Sequence, residues 1–101
     1  MNMERPWTVP TAHPSFPGHF PGRPILPGVV LVDQALRLAA DLLPAGSAIR
    51  GLGTAKFFRP VGPGTALLFR YAPTSTGAIA FEVRDGAQLV ASGSISFGPR
   101  S

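Results

Sequence analysis

The 101-residue chain contains no cysteine, which removes disulfide frameworks and thiolate chemistry together and suits a reducing compartment. Charge is scarce too: 14% of residues are charged against 45% hydrophobic, far from the composition of a disordered segment. Lysine occurs once, at Lys56, so the excess of nine basic over five acidic residues, a net +4, is carried by arginine. Such a balance favours an acidic partner. The cations are scattered along the chain with no run and no finger, homeodomain or RNP pattern, which argues against nucleic acid. No stretch approaches the length of a membrane span, and the opening MNMERPWTVP lacks the apolar core of a signal peptide, so a soluble, cytoplasmic protein is expected. A G-x-S-x-G serine elbow is missing, and Gly51-Leu-Gly53 falls on an expected strand with no helix after it, which excludes a phosphate loop. His13 and His19 stand six apart with no cysteine or nearby carboxylate, too few ligands for a metal.

What the chain has in abundance is turn-forming residues, twelve Gly and twelve Pro, set between apolar runs without a collagen-like period. Its length allows one domain, residues 1–101. Six prolines between Pro10 and Pro27 forbid a helix there, so the first segment should be extended. From Gly28 to Leu43 the run GVVLVDQALRLAADLL has no internal Gly or Pro and predicts a helix of about 24 Å. Pro27 leads into it and Pro44 stops it. Beyond Ser47 the hydrophobic period changes to two, predicting strands over Ile49–Phe58 and Ala66–Ala72. A hairpin follows, in which Ile79, Phe81 and Val83 share a face with Leu89, Ala91, Gly93, Ile95 and Phe97 across a primed turn at Asp85-Gly86. One helix followed by a four-stranded antiparallel meander gives an α+β domain whose sheet wraps the helix. Around that helix Asp33, Gln34, Arg37 and Asp41 fill an arc of only about a quarter turn, with Val30 inside it. A small sheet cannot cover the rest, so a symmetric dimer is expected.

Two side chains remain that could move protons. His19 precedes Phe20-Pro21-Gly22, where the backbone can turn sharply and present an imidazole able to accept a proton at neutral pH. Asp33 lies at the border of the apolar helix face, where desolvation would disfavour its charged form and leave an acid able to donate. A base and an acid facing one substrate suit removal of a proton and a hydroxyl from adjacent carbons. At the helix start Gly28 exposes an N–H and the positive dipole end, which would stabilise an oxyanion such as that of a polarised thioester carbonyl. The plainer alternatives stay open: Asp33 pairing with Arg37 one turn on, His13 and His19 as ordinary loop residues, and Phe57, Phe58, Phe69, Phe81 and Phe97 as core or interface.

The run His19-Phe-Pro-Gly-Arg-Pro-Ile-Leu-Pro-Gly-Val-Val-Leu-Val-Asp33 resembles the H-F-P-G-x-P-x-x-P-G-V-x-x-x-[E/D] signature of the FabZ/FabA-type 3-hydroxyacyl-(acyl carrier protein) dehydratases. A second stretch, Phe57-Phe-Arg59-Pro60-Val61-Gly-Pro63-Gly64, is similar to that family's F-x-R-P-V-x-P-G-D, with Thr65 in place of Asp. The resemblance implies a hotdog fold, a dimer, and dehydration of a 3-hydroxyacyl thioester to the trans-2-enoyl thioester without a bound cofactor. By it His19 would be the catalytic base and Asp33 the catalytic acid, contributed by different subunits. Gly28 would bind the thioester carbonyl, with Phe20 and Val29 lining the acyl tunnel. An arginine-rich rim would face acyl carrier protein. Two departures stand out: Arg37 takes the place of a common Gln, and the chain is shorter than most relatives, as in the dehydratases of aryl-polyene pathways. The alternatives that the resemblance leaves are a hotdog acyl thioesterase and a non-catalytic partner subunit that binds the acyl carrier.

Overall fold

In the computed structural model the described residues are 3–11, 25–74 and 77–99. They form β1 (Met3–Thr8), α1 (Gly28–Ala39), β2 (Ser47–Leu52), β3 (Lys56–Phe57), β4 (Ala66–Pro73), β5 (Ala78–Asp85) and β6 (Gln88–Pro99). The helix begins where expected, with Pro27 extended at φ −60° and ψ 144° as its cap. Its α geometry ends at Ala39, and a 3₁₀ turn over Ala40–Leu42 carries it to one residue short of the expected end at Leu43. The cause is Pro44: the residue before a proline avoids the α region, and Leu43 is extended at ψ 147°, so the last turn tightens before the chain leaves.

All pairings are antiparallel, in the order β1-β4-β5-β6-β2, with β3 also on β6. Only β4, β5 and β6 form a meander. The expected adjacency of the two strands after the helix is corrected: β2 and β3 lie beyond β6, and the Pro60–Gly64 segment carries the chain across to β4 on the far side of β5. The single strand expected over Ile49–Phe58 is likewise two, laid end to end along β6. Leu52 pairs Ile95 and Lys56 pairs Ser92, with Gly53–Ala55 bulging between them. The extended opening segment becomes β1, paired residue for residue with β4 from Met3–Tyr71 to Thr8–Ala66. Pro6 is tolerated there because β1 is an edge strand.

Period two holds on β4, where Leu67, Phe69 and Tyr71 are buried, and on β5, where Ile79, Phe81 and Val83 are. On β6 it breaks. The register slips between Val83–Ala91 and Arg84–Leu89, so Val90 is the extra residue of a bulge. Val90 and Ala91 are therefore both buried, against the expectation that Val90 faces outward. The turn falls one residue later than expected: Asp85 pairs Gln88, so Gly86-Ala87 make the turn, and Gly86 takes φ +60°, the positive φ that a two-residue primed turn requires.

The helix buries Leu31, Ala35 and Ala39 against these strands, in one core with Val9, Leu26 and Val61. A polar tie fixes it: the Tyr71 hydroxyl donates to the Ala35 carbonyl at 2.6 Å, and burial pushes the phenol well above its ordinary titration range. Outside, Glu4–Arg70 (3.1 Å) and Glu82–Arg84 (3.0 Å) decorate the opposite face of the sheet. That leaves one face for the helix and directs its N-terminus toward β3.

Candidate active site

The start of α1 is held from two sides. The Leu26 N–H donates to the Val61 carbonyl at 2.7 Å, and the Phe58 N–H donates to the Val90 carbonyl at 2.8 Å. The segment from Phe57 to Val61 is thus clamped to β6 at one end and to the residues leading into the helix at the other. Between them lies a cleft of about 410 Å³, lined by Ile25, Leu26, Gly28, Leu31, Phe57, Phe58, Arg59, Pro60 and Val61. Its walls are apolar apart from Arg59, and its size falls in the ordinary range for a small-molecule site.

Gly28 stands at the head of this cleft. A Cβ there would lie 3.1 Å from both Cε1 and Cζ of Phe57, so the aromatic ring rests directly on the glycine backbone. The Pro27 carbonyl accepts from the N–H groups of Val30 (3.0 Å) and Leu31 (3.3 Å), while those of Gly28 and Val29 have no acceptor among the described residues. Such N–H groups, at the positive end of a helix dipole, are the kind of donor that can stabilise a negatively charged oxygen.

Asp33 lies further along α1, and here the expectation of a desolvated carboxylate is corrected. Its side chain is 56% exposed in the single chain, and its Oδ2 accepts from Arg37 Nε at 2.6 Å. The guanidinium, still more open to solvent, is held above its ordinary value by that hydrogen bond and by the carboxylate charge. The pairing alternative is therefore the arrangement seen. Val29, expected to line the acyl tunnel, is 75% exposed and is not among the cleft residues. Val29, Asp33 and Arg37 form one exposed stripe at four-residue intervals, while Val30 packs on the core. The open face of the helix is rotated toward Val29 from the polar arc read off the wheel. Of the proposed site residues the structure thus gathers Gly28 into the cleft and leaves Asp33 and Val29 on the stripe beside it; His19 and Phe20, with His13, lie outside the described residues.

The phenylalanines divide. Phe69 and Phe81 are core, whereas Phe57 and Phe58 are 50% and 52% exposed and form the cleft wall. Strand alternation could not identify that role. The Phe57–Gly64 motif carried the signal, because it placed two aromatics and an arginine immediately before a Pro-rich crossing.

The model of the ApeI-like family, described as ApeI dehydratase, matches residues 2–94. The chain belongs to the ApeI-like dehydratase family. It is 43% identical to a 3-hydroxyacyl-(acyl-carrier-protein) dehydratase FabZ of Gluconacetobacter diazotrophicus, over 58% of this chain and 42% of the relative. The FabZ of Chlamydia trachomatis is 34% identical over 83% of this chain and 63% of its own length. The chain therefore spans less than two thirds of the curated relatives it matches. Among solved structures, the dehydratase heterocomplex ApeI:P from Xenorhabdus doucetiae superposes with a TM-score of 0.82 at 27% identity, covering 98% of this chain and 88% of that one. The curled antiparallel sheet with one central helix is the hotdog fold of that dehydratase. No described helix of the ApeI-like chain is long and apolar enough to cross a membrane.

Proposed function

We propose that this ApeI-like chain dehydrates 3-hydroxyacyl thioesters, carried on acyl carrier protein, to trans-2-enoyl thioesters in a cytoplasmic fatty-acid or polyene-type pathway. The observation that carries the reading is the Gly28 N–H, without an acceptor among the described residues, at the head of an apolar cleft. A thioester carbonyl seated there has its oxygen stabilised as the adjacent carbon loses a proton. His19 takes that α-proton, and the C–H electron pair moves into the enolate. As the enolate collapses to the C2–C3 double bond, the C3–O bond breaks and Asp33 protonates the departing oxygen, so one water leaves. No bound cofactor enters the balance.

The reading includes a second subunit. The stripe of Val29, Asp33 and Arg37 is open in the single chain, as are Leu52, Phe57 and Phe58 along the free edge of β2 and β3. A homodimer, or a complex with a related subunit, would cover both and draw Asp33 away from water; the ApeI:P neighbour is itself a heterocomplex. Incubating the protein with 3-hydroxyacyl-acyl carrier protein and following intact mass tests the activity. Loss of one water with the thioester kept is the expected result. Release of free carrier thiol would establish a thioesterase instead, and an unchanged species across several chain lengths would leave a binding subunit.

A further inference from the structure

Almost every described cation is spoken for. Arg37, Arg70 and Arg84 pair with Asp33, Glu4 and Glu82, and Arg5 and Arg50 donate to the carbonyls of Glu4 and Pro99. Lys56 and Arg59 alone have no partner among the described residues. They differ in placement. Lys56 pairs Ser92 across the strands and is not among the cleft residues, whereas Phe57 pairs the buried Ala91 and Arg59, two residues on, lines the cleft.

Among the described residues an unpaired guanidinium is therefore the one charge lining an otherwise apolar cleft. The acyl chain of a substrate has no use for it, and its planar fork of donors suits the oxygens of a phosphate. We propose that Arg59 binds the phosphate of a phosphopantetheine arm, the group through which both acyl carrier protein and coenzyme A hold an acyl thioester. This rests on the thioester reading above. Arg59 follows by two residues the Phe57 ring that rests against Gly28, and both border the same cleft, so a thioester seated at the helix start extends its arm toward the guanidinium.

The test compares 3-hydroxyacyl thioesters of phosphopantetheine with those of pantetheine, which lacks the phosphate. The wild type should prefer the phosphorylated form. Arg59→Ala should raise its KM about tenfold at unchanged kcat and leave the pantetheine thioester unaffected. Lys56→Ala, the same loss of charge away from the cleft, should change neither. Equal losses on both substrates in Arg59→Ala, or no preference in the wild type, would overturn the assignment. A further arm uses coenzyme A and carrier-protein thioesters. Parallel weakening supports the shared phosphate, whereas a loss confined to the carrier protein would mean that Arg59 touches its surface and would also overturn the assignment. Lack of turnover with every thioester strikes the dehydratase reading alone; calorimetry with 4′-phosphopantetheine against pantetheine then decides Arg59 by the same comparison.

Discussion

Gly28→Ala separates packing from chemistry at the head of the cleft. The added methyl would sit 3.1 Å from two ring atoms of Phe57 and 3.4 Å from a third, so the ring must yield by a few tenths of an ångström. Because Phe57 is half exposed, it has room to do so. Alanine also favours the helix over glycine by up to about 1 kcal/mol, against an overpacking penalty of about the same size. Stability should therefore stay within about 1 kcal/mol of wild type, a change in melting temperature of at most about 4–8 °C. Turnover should respond far more. The N–H survives, but the methyl stands where the thioester oxygen must approach it, and obstructing one oxyanion donor costs about 10²–10³-fold in kcat. Thermal melts and single-turnover dehydration of an acyl-carrier substrate read the two effects separately. The double variant Gly28→Ala, Phe57→Leu removes the crowding while keeping the methyl. It should melt like wild type and remain slow. Full turnover in the single variant, or recovery of turnover in the double, would refute the idea that the carbonyl docks at this backbone.

Asp33→Asn and His19→Ala should each lower turnover by about 10²–10⁴-fold, and for Asp33→Asn the exposed position predicts an unchanged melting temperature; wild-type rates in either would remove that residue from the mechanism. Arg37→Gln frees the carboxylate from its 2.6 Å partner, so dehydration should be retained or faster, and a loss as deep as that of Asp33→Asn would show that the pair itself is needed. Tyr71→Phe removes a buried hydrogen bond worth about 1 kcal/mol and should melt several degrees lower at pH 7. The buried phenol also makes stability pH-dependent. With its folded-state value raised, its contribution is complete below the unfolded tyrosine value of about 10 and is lost as pH rises beyond it, because only the unfolded chain then ionises. Melts from pH 8 to 11.5 should therefore show an alkaline decline that is weaker in Tyr71→Phe, and identical slopes would contradict the assignment. Gly86→Ala places a side chain at φ +60° with no atom within 4 Å, so it should cost about 1 kcal/mol through the backbone alone, which denaturant titration measures.

How far the sequence was legible depended on the range of the interaction that decided each feature. The helix start at Pro27-Gly28, the strands from Ala66 and Ala78 and the turn after Asp85 are set by neighbours in the chain, and local reading found them, the turn to within one residue. The place of β2 and β3 beyond β6 depends on a crossing between remote segments, which no period of two can encode. The bulge at Val90 is similar: one residue slipped from register moves a side chain from one face to the other, and only the partner strand shows the slip. At the site, the place of Gly28 at the helix start was legible from its neighbours. Phe57 and Arg59 were flagged only by their motif, since the wall they form depends on what the fold sets opposite them.

The same distinction bears on how the proposed site would be divided between subunits. Backbone donors at a helix start need only the helix and something to fix its position, and the Tyr71 hydroxyl on Ala35 with the Leu26–Val61 hydrogen bond supplies that within one chain. A proton donor needs exclusion of water, and one curled sheet gives it to Leu31, Ala35 and Ala39 but leaves the stripe of Asp33 open. Arg37 satisfies the carboxylate in the meantime, at 2.6 Å and in solvent, where such a pair exchanges easily with other partners. A second subunit laid over Val29 and the free edge of β3 would change the surroundings of Asp33 without altering Gly28. On this reading, assembly governs the acid and folding alone governs the oxyanion site. Dilution below the dissociation constant should then abolish dehydration while leaving phosphopantetheine binding measurable; parallel loss of both would place the two functions under the same control and refute the division.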